Sequence, residues 1–448
     1  MIIDFFLDVF SANRGNDAII WRDRTYSYGW MEEAFRGWMR RLEEEATAPN
    51  SVVSLEADCS PMAVALMLAL IERGCIIVPM TDSVEAKKTE FREIAEVEAI
   101  IHVDRKDNAS FTKLPNQATH ELLVSLKQIR HPGLVLFSSG STGKNKAALH
   151  DLVPLLEKFK ARRHARRTIS FLLFDHIGGV NTLFYTLSNA GCVIVVEDRS
   201  PDGVCAAIEK HKAQLLPTSP TFIHLLLLSE AYKRYDLSTL ELVTYGTEVM
   251  PESTLKRFHL LFPNVCLLQT YGLSEVGILR SQSKSSDSLW VKVGGEGFET
   301  RVVDGLLEIK AKSAMLGYLN AASPFTEDGW FNTGDAVEVD GEYLRILGRK
   351  SEMINVGGEK VYPAEVESVI QLMDGVLDVT ISSEPNPITG HIVKARVKVS
   401  TGESLNDFRK RMRIFCKDKL PRFTIPQKVV LVDRETYGNR WKKMRRES

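Results

Sequence analysis

Along this chain, short runs that are apolar at every position alternate with longer segments of helical period. Runs at 52–55, 75–79, 134–137, 168–174, 192–196, 214–216 and 240–245 predict strands. Segments 61–73, 151–160, 179–188, 201–211, 219–228 and 251–262 predict helices. Val193-Ile194-Val195-Val196 contains no polar residue, as expected of a strand covered on both faces. Such strands belong to largely parallel sheets with helices outside. After about residue 290 the pattern shifts to short strands at 291–303, 306–310, 336–339 and 343–347, joined by Gly and Asp turns. Gly348-Arg349-Lys350-Ser351 interrupts the series. Beyond it, helices at 364–373 and 405–420 with strands at 376–382, 393–399 and 428–432 predict a separate α+β unit of about a hundred residues. The expected fold is α/β. A large N-terminal domain, 1–348, has layered, mostly parallel sheets with helices plus a small β-rich subdomain, and a small C-terminal domain covers 349–448.

Composition narrows the class. With 448 residues, 44% hydrophobic and 26% charged, the chain is ordinary globular protein with room for a large core. The formal net charge of −1 gives no global field for nucleic acid, and the four arginines within 162–167 do not change that. The six cysteines form no CxxC pair and the ten histidines no HExxH spacing, so neither a disulfide framework nor a dedicated zinc site is expected. The longest apolar run, 62–71, is half the length a membrane span requires. The start Met1-Ile2-Ile3-Asp4 lacks a basic leader. A reducing, cytoplasmic setting without membrane insertion is the expectation.

The most informative stretch is Ser138-Ser139-Gly140-Ser141-Thr142-Gly143-Lys144-Asn145-Lys146, directly after a buried strand. Glycines let backbone N–H groups approach phosphate, hydroxyls add donors and lysines add charge. It is not the GxxxxGK[ST] loop, because Ser138 and Asn145 stand where that motif needs Gly and Ser or Thr. On its own the stretch reads equally as a flexible turn that binds nothing.

Later motifs decide between these readings. Tyr245-Gly246-Thr247-Glu248, Tyr271-Gly272-Leu273-Ser274-Glu275, Gly329-Trp330-Phe331-Asn332-Thr333-Gly334-Asp335, Gly348-Arg349 and Ile354-Asn355-Val356-Gly357-Gly358-Glu359-Lys360 follow in order. With them the chain resembles the adenylate-forming enzymes: acyl-CoA synthetases, adenylation domains and firefly-type luciferases. The resemblance covers almost the whole chain and implies two half-reactions. A carboxylic acid, fatty or aromatic, attacks ATP to give acyl-AMP. A thiol, from CoA or the phosphopantetheine of an acyl carrier protein, then displaces AMP. Two alternatives stay open: a stand-alone enzyme that loads a carrier protein, and a nucleotide-binding protein that has lost turnover.

The resemblance also implies residue roles. Ser138, Ser139, Gly140, Ser141, Thr142, Gly143 and Lys146 would hold the β- and γ-phosphates. Glu275 would bind Mg2+, and Ser274 would reach the α-phosphate. Gly246, Thr247 and Glu248 with Tyr271 and Gly272 would wall the adenine. Asp335 would accept both ribose hydroxyls, with Arg349 on ribose or phosphate. His176 would lie near the substrate carboxylate, with Asp175 pointing elsewhere. No acidic anchor for an α-amino group stands near Gly178. The C-terminal domain would be mobile, turning about Ser351 to exchange a catalytic lysine for a thiol channel at Gly357 and Gly358. In the tail, Gly438 is followed by Asn439, which departs from the family pattern. The count from Val432-Asp433 assigns the catalytic role to Lys442, with Lys443 as runner-up and Trp441 in place of a family Gly.

Overall fold

The computed structural model describes residues 1–139, 144–400, 402–433, 437–438 and 441–445. Two seven-stranded sheets form the larger part. One runs in the order Cys266–Gln269, Leu242–Tyr245, Leu215–Thr218, Arg167–Ser170, Cys192–Val195, Asp17–Trp21, Arg24–Ser27. All its pairings are parallel except the last hairpin. The other runs Gly317–Tyr318, Asn145–Asp151, Gly133–Ser139, Ile76–Met80, Val52–Glu56, Ala99–Val103, Ala109–Lys113, with a parallel centre and antiparallel edges.

Helices Pro61–Glu72 and Ile177–Ser188 lie in a core that joins Val53, Leu55 and Ile77 of one sheet to Ile19 and Val193 of the other. Packing on both sides explains why Pro61–Glu72 has no polar stripe: every residue from Ala63 to Ile71 is buried. Its start is set by the Ser60 side chain, which accepts from Ala63 N, and by Pro61 in the first turn.

A third, antiparallel sheet of six strands spans Arg280–Ser283 to Tyr343–Arg349. The segment expected as one strand at 291–303 is two, Trp290–Gly294 and Phe298–Val303. Gly294, Gly295 and Gly297 separate them with φ of 150°, 102° and 82°, which turns the chain back on itself. The last sheet packs Ile354–Val356, Glu359–Val361, Val376–Asn386, Gly390–Val399 and Lys428–Leu431 against helices Pro363–Ile370 and Leu405–Cys416. Sequence pattern did not reveal the N-terminal helix Asp4–Ala12 or the hairpin Asp17–Trp21/Arg24–Ser27. These closely spaced elements give too few residues for a period to show.

Candidate active site

Parallel strands of one sheet all end on the same side, and ligands bind at those C-terminal ends. Here the residues at the ends of three such strands, Thr218, Gly246–Glu248 and Thr270–Tyr271, line one cleft of about 2070 Å³ with residues of the 171–179 connection. Ser138 and Lys146 join from the second sheet, Asp335 and Arg349 from the third, and Lys442 from the C-terminal tail.

Asp335 and Arg349 are register partners across the Phe331–Asp340/Tyr343–Arg349 hairpin. Arg349 Nε lies 2.7 Å from Asp335 Oδ1, and its Nη1 donates to Thr333 O at 2.7 Å. The Tyr271 hydroxyl donates to Asp335 Oδ2 at 2.5 Å. Tyr271, expected only as an adenine wall, is therefore buried and spends its hydroxyl on orienting Asp335. Burial pushes the Asp335 carboxyl above its ordinary value, and Arg349 and Tyr271 oppose that. A Cβ at Gly246 would stand 2.9 Å from Thr270 O, so only glycine keeps this wall flat. Thr247 follows with φ of 72°, a left-handed conformation that a β-branched residue adopts only when its surroundings enforce it. Glu248 faces the tail as well as the cleft. Its Oε1 accepts from Thr221 N at 2.8 Å and from the Thr221 hydroxyl, and its Oε2 accepts from Lys443 N at 3.1 Å.

At the other end, Ser138 pairs with Lys146 and Ser139 with Asn145 at the base of the hydroxyl-rich loop. Gly140, Ser141, Thr142 and Gly143 lie outside the described residues. Lys146 Nζ sits 4.8 Å from the centre of the Tyr318 ring, whose hydroxyl donates to Glu275 Oε1 at 2.6 Å. Asn320 braces the loop base, accepting from Ala147 N at 3.0 Å and donating to Asn145 O at 2.8 Å. Neither Tyr318 nor Asn320 was anticipated. The two-residue strand Gly317–Tyr318 that carries the tyrosine is too short to show a pattern.

Ser274 and Glu275 occupy the tip of the tight Gly272–Leu273/Gly277–Ile278 hairpin and line the cleft. Glu275 Oε2 has no hydrogen-bond partner among the described residues, and no group of three metal-ligating side chains occurs among them. A single carboxylate near the base of the hydroxyl-rich stretch would suit Mg2+, which takes most of its ligands from phosphate oxygens and water.

His176 precedes helix Ile177–Ser188, lines the cleft, and has Nε2 3.6 Å from Asp175 Oδ1. Asp175 itself is buried and turned away, its Oδ2 accepting from Thr81 Oγ1 at 2.8 Å. Gly178 and Gly179 form part of the same wall. A Cβ at Gly179 would stand 2.0 Å from Leu173 O.

The tail separates the two candidate lysines. Lys443 Nζ donates to Val379 O at 2.8 Å and lies 3.4 Å from Asp378 Oδ1 and 3.9 Å from Glu367 Oε2, buried in the C-terminal unit. Arg445 completes that network, bonding Glu367 and, at 2.8 Å, Glu352. Both lysines border the cleft, and Lys442 takes no part in these bonds. Lys442 is exposed, with Glu248, Arg349 and Glu352 among its charged neighbours. Trp441 has φ of 53°, a left-handed conformation that accounts for glycine in the resembled pattern. Its ring stacks on Tyr437 at 5.3 Å and meets Phe222 at 5.7 Å, and its carbonyl accepts from Ser219 Oγ at 2.6 Å. Those contacts offset a backbone cost of about 1–2 kcal/mol.

Replacing Lys443 with Met should lower unfolding free energy by about 3–5 kcal/mol, because buried Glu367 and Asp378 lose a counter-charge. Chemical denaturation measures this, and a change under about 1 kcal/mol would contradict the network's structural role.

Gly357 and Gly358 are not at the cleft. They form the exposed turn between Ile354–Val356 and Glu359–Val361, with φ of 62° and 99°. Among the described residues, no helix is long and apolar enough to cross a membrane.

Comparisons with known proteins agree with this geometry. An indoleacetate–CoA ligase of Aromatoleum aromaticum is 28% identical over 330 residues, covering 67% of this chain and 64% of the ligase. The chain thus spans just under two thirds of that relative's length. An anthranilate–CoA ligase solved with anthranoyl-AMP superposes with a TM-score of 0.80 at 18% identity, covering 98% of this chain and 95% of the ligase. An amide bond synthetase from Marinactinospora thermotolerans gives 0.75 at 20%, covering 96% of each chain. At these identities the two structures show a shared fold. The model of the AMP-binding enzyme family matches residues 8–310 and that of its C-terminal domain residues 365–436, and with this match the chain belongs to the AMP-binding enzymes.

Proposed function

We propose that this protein activates a carboxylic acid with ATP and passes the acyl group to the thiol of CoA. The observation that carries the reading is the meeting of Lys442 with Asp335, Glu275 and Lys146 in one cleft. In the first half-reaction a carboxylate oxygen bonds to the α-phosphorus, the bond to the β-phosphate oxygen breaks, and pyrophosphate leaves. In the second, the thiol sulfur bonds to the acyl carbon, AMP leaves with the electron pair of the broken C–O bond, and the thiol proton is released.

The protein's work is positioning and charge. Asp335, oriented by Tyr271 and Arg349, receives the ribose hydroxyls. Gly246 and Thr247 supply the flat wall for adenine. Ser138, Lys146 and the hydroxyls between them hold the outer phosphates. Glu275 would hold Mg2+, which when bound neutralises phosphate charge. Ser274 reaches the α-phosphate. Lys442 stabilises charge building between the acid and that phosphate, and His176 orients the acid. Residues 1–348 act as the binding domain and 349–448 as the lid. The lid turns to bring Gly357 and Gly358 to the thiol path once acyl-AMP has formed.

Aromatic side chains at Phe159, Phe171 and Tyr185 line the cleft together with His176, which favours an aromatic acid. Two of the names point the same way, indoleacetate and anthranilate being aromatic, while two further relatives are named for a saturated ring acid. Acid-dependent ATP–pyrophosphate exchange across a carboxylic-acid library, followed by thioester formation with CoA, tests the reading. Exchange without acyl transfer to CoA would redirect it to a carrier protein or to an amine acceptor. No exchange with any acid would overturn it.

Asp335→Asn should weaken ATP binding about 10-fold or more, since a charged acceptor is lost. Calorimetric titration with ATP measures this, and an unchanged dissociation constant counts against the ribose assignment.

A further inference from the structure

The cleft holds a lysine that nothing above employs. Lys158 lies in the 3-10 turn Glu157–Phe159 and lines the cleft. Its Nζ donates to Ile278 O at 3.1 Å and sits 5.1 Å from the centre of the Phe159 ring, and it meets no carboxylate among the described residues. Its enclosure in the cleft wall, with repulsion from Arg163 added, pushes the ammonium down to about 8. A structural buried lysine is normally paired, as Lys443 is, because an uncompensated cation is costly to keep out of water.

The surroundings are also unspent. Phe159 meets Phe184 of helix Ile177–Ser188 edge-on at 5.8 Å, which sets Lys158 beside that helix. Asn181 and Tyr185, four residues apart and so on one face of the helix, line the same cleft. Neither the Asn181 amide nor the Tyr185 hydroxyl has a hydrogen-bond partner among the described residues. An ammonium, an amide and a phenol thus share one wall of the acid pocket, and none of them faces a protein anion.

We propose that the acid activated here carries a second anionic group, a carboxylate distal to the reacting one, and that Lys158 pairs with it while Asn181 and Tyr185 hydrogen-bond it. The inference rests on the acid-activating reading and adds the substrate class. Lys158 acts as a specificity residue, and the reacting carboxylate stays with Lys442 and His176.

The test is pyrophosphate exchange with diacids, each paired with its monomethyl ester: terephthalate and isophthalate, and succinate through adipate. Wild type should favour at least one diacid over its ester by about 30-fold or more in kcat/KM, the scale of a buried ion pair. Lys158→Met should abolish that preference by lowering the diacid rate and sparing the ester, and Lys158→Arg should restore part of it. If the esters match or exceed every diacid in wild type, the proposal is overturned. A preference that survives Lys158→Met overturns it as well. So does an equal loss for diacid and ester, which would mark Lys158 as a brace for the Gly277–Ile278 strand. Exchange with no acid at all would instead sink the acid-activating reading, and the inference with it.

Discussion

Lys442→Ala is expected to lower acyl-adenylate formation about 100-fold or more and to leave thioester formation from pre-made acyl-adenylate near the wild-type rate. The first effect follows from removing a positioned cation from a transition state that gathers negative charge. The second follows because that charge has left with pyrophosphate before the thiol attacks, and because the lid has by then carried the tail away. The side chain takes no part in the Glu367–Asp378–Arg445 network, so the fold should survive its loss. Exchange assays and single-turnover thiolysis separate the two steps. Equal loss in both would mean that Lys442 serves binding in general, and no loss in either would remove it from the mechanism.

The second large effect belongs to Glu275. Glu275→Gln keeps an oxygen for the Tyr318 hydroxyl, so the hairpin tip retains its brace while the charge disappears. Adenylation should fall about 100-fold, with partial recovery as Mg2+ is raised, because a weakened site is refilled by mass action. The thermal midpoint should stay within a few degrees of wild type, since the side chain is half-exposed and outside the core. Full activity at ordinary Mg2+ would end the metal assignment.

The amino-acid order carried much of this protein openly. Runs such as Val193–Val196 have no polar position because both faces of their sheet are covered, so burial is written in the composition of the run itself. The stretches around Tyr271-Gly272-Leu273-Ser274-Glu275 and Thr333-Gly334-Asp335 are legible for a related reason. Tight turns and ligand contacts constrain several consecutive residues at once, so the constraint shows locally.

The tertiary structure alone decided matters where partners are distant in the chain or where no period exists. Lys442 and Lys443 are neighbours in an irregular segment, both border the cleft, and no spacing tells which one the C-terminal unit captures. The decision comes from Glu367 and Asp378, which capture Lys443 in the C-terminal unit, and from Trp441, whose left-handed turn sets the direction of the two lysines after it. Tyr318 reaches Glu275 because its two-residue strand pairs with Ala148 and Leu149, far back in the chain. Tyr271 finds Asp335 across 64 residues. Lys158 reads in sequence as one more polar residue at a helix end, and only the packing of distant segments sets it in the cleft wall against Ile278 O with no carboxylate partner among the described residues. Local sequence sets propensity and burial, whereas the direction of a single side chain in a loop is set by contacts that exist only after distant segments have packed.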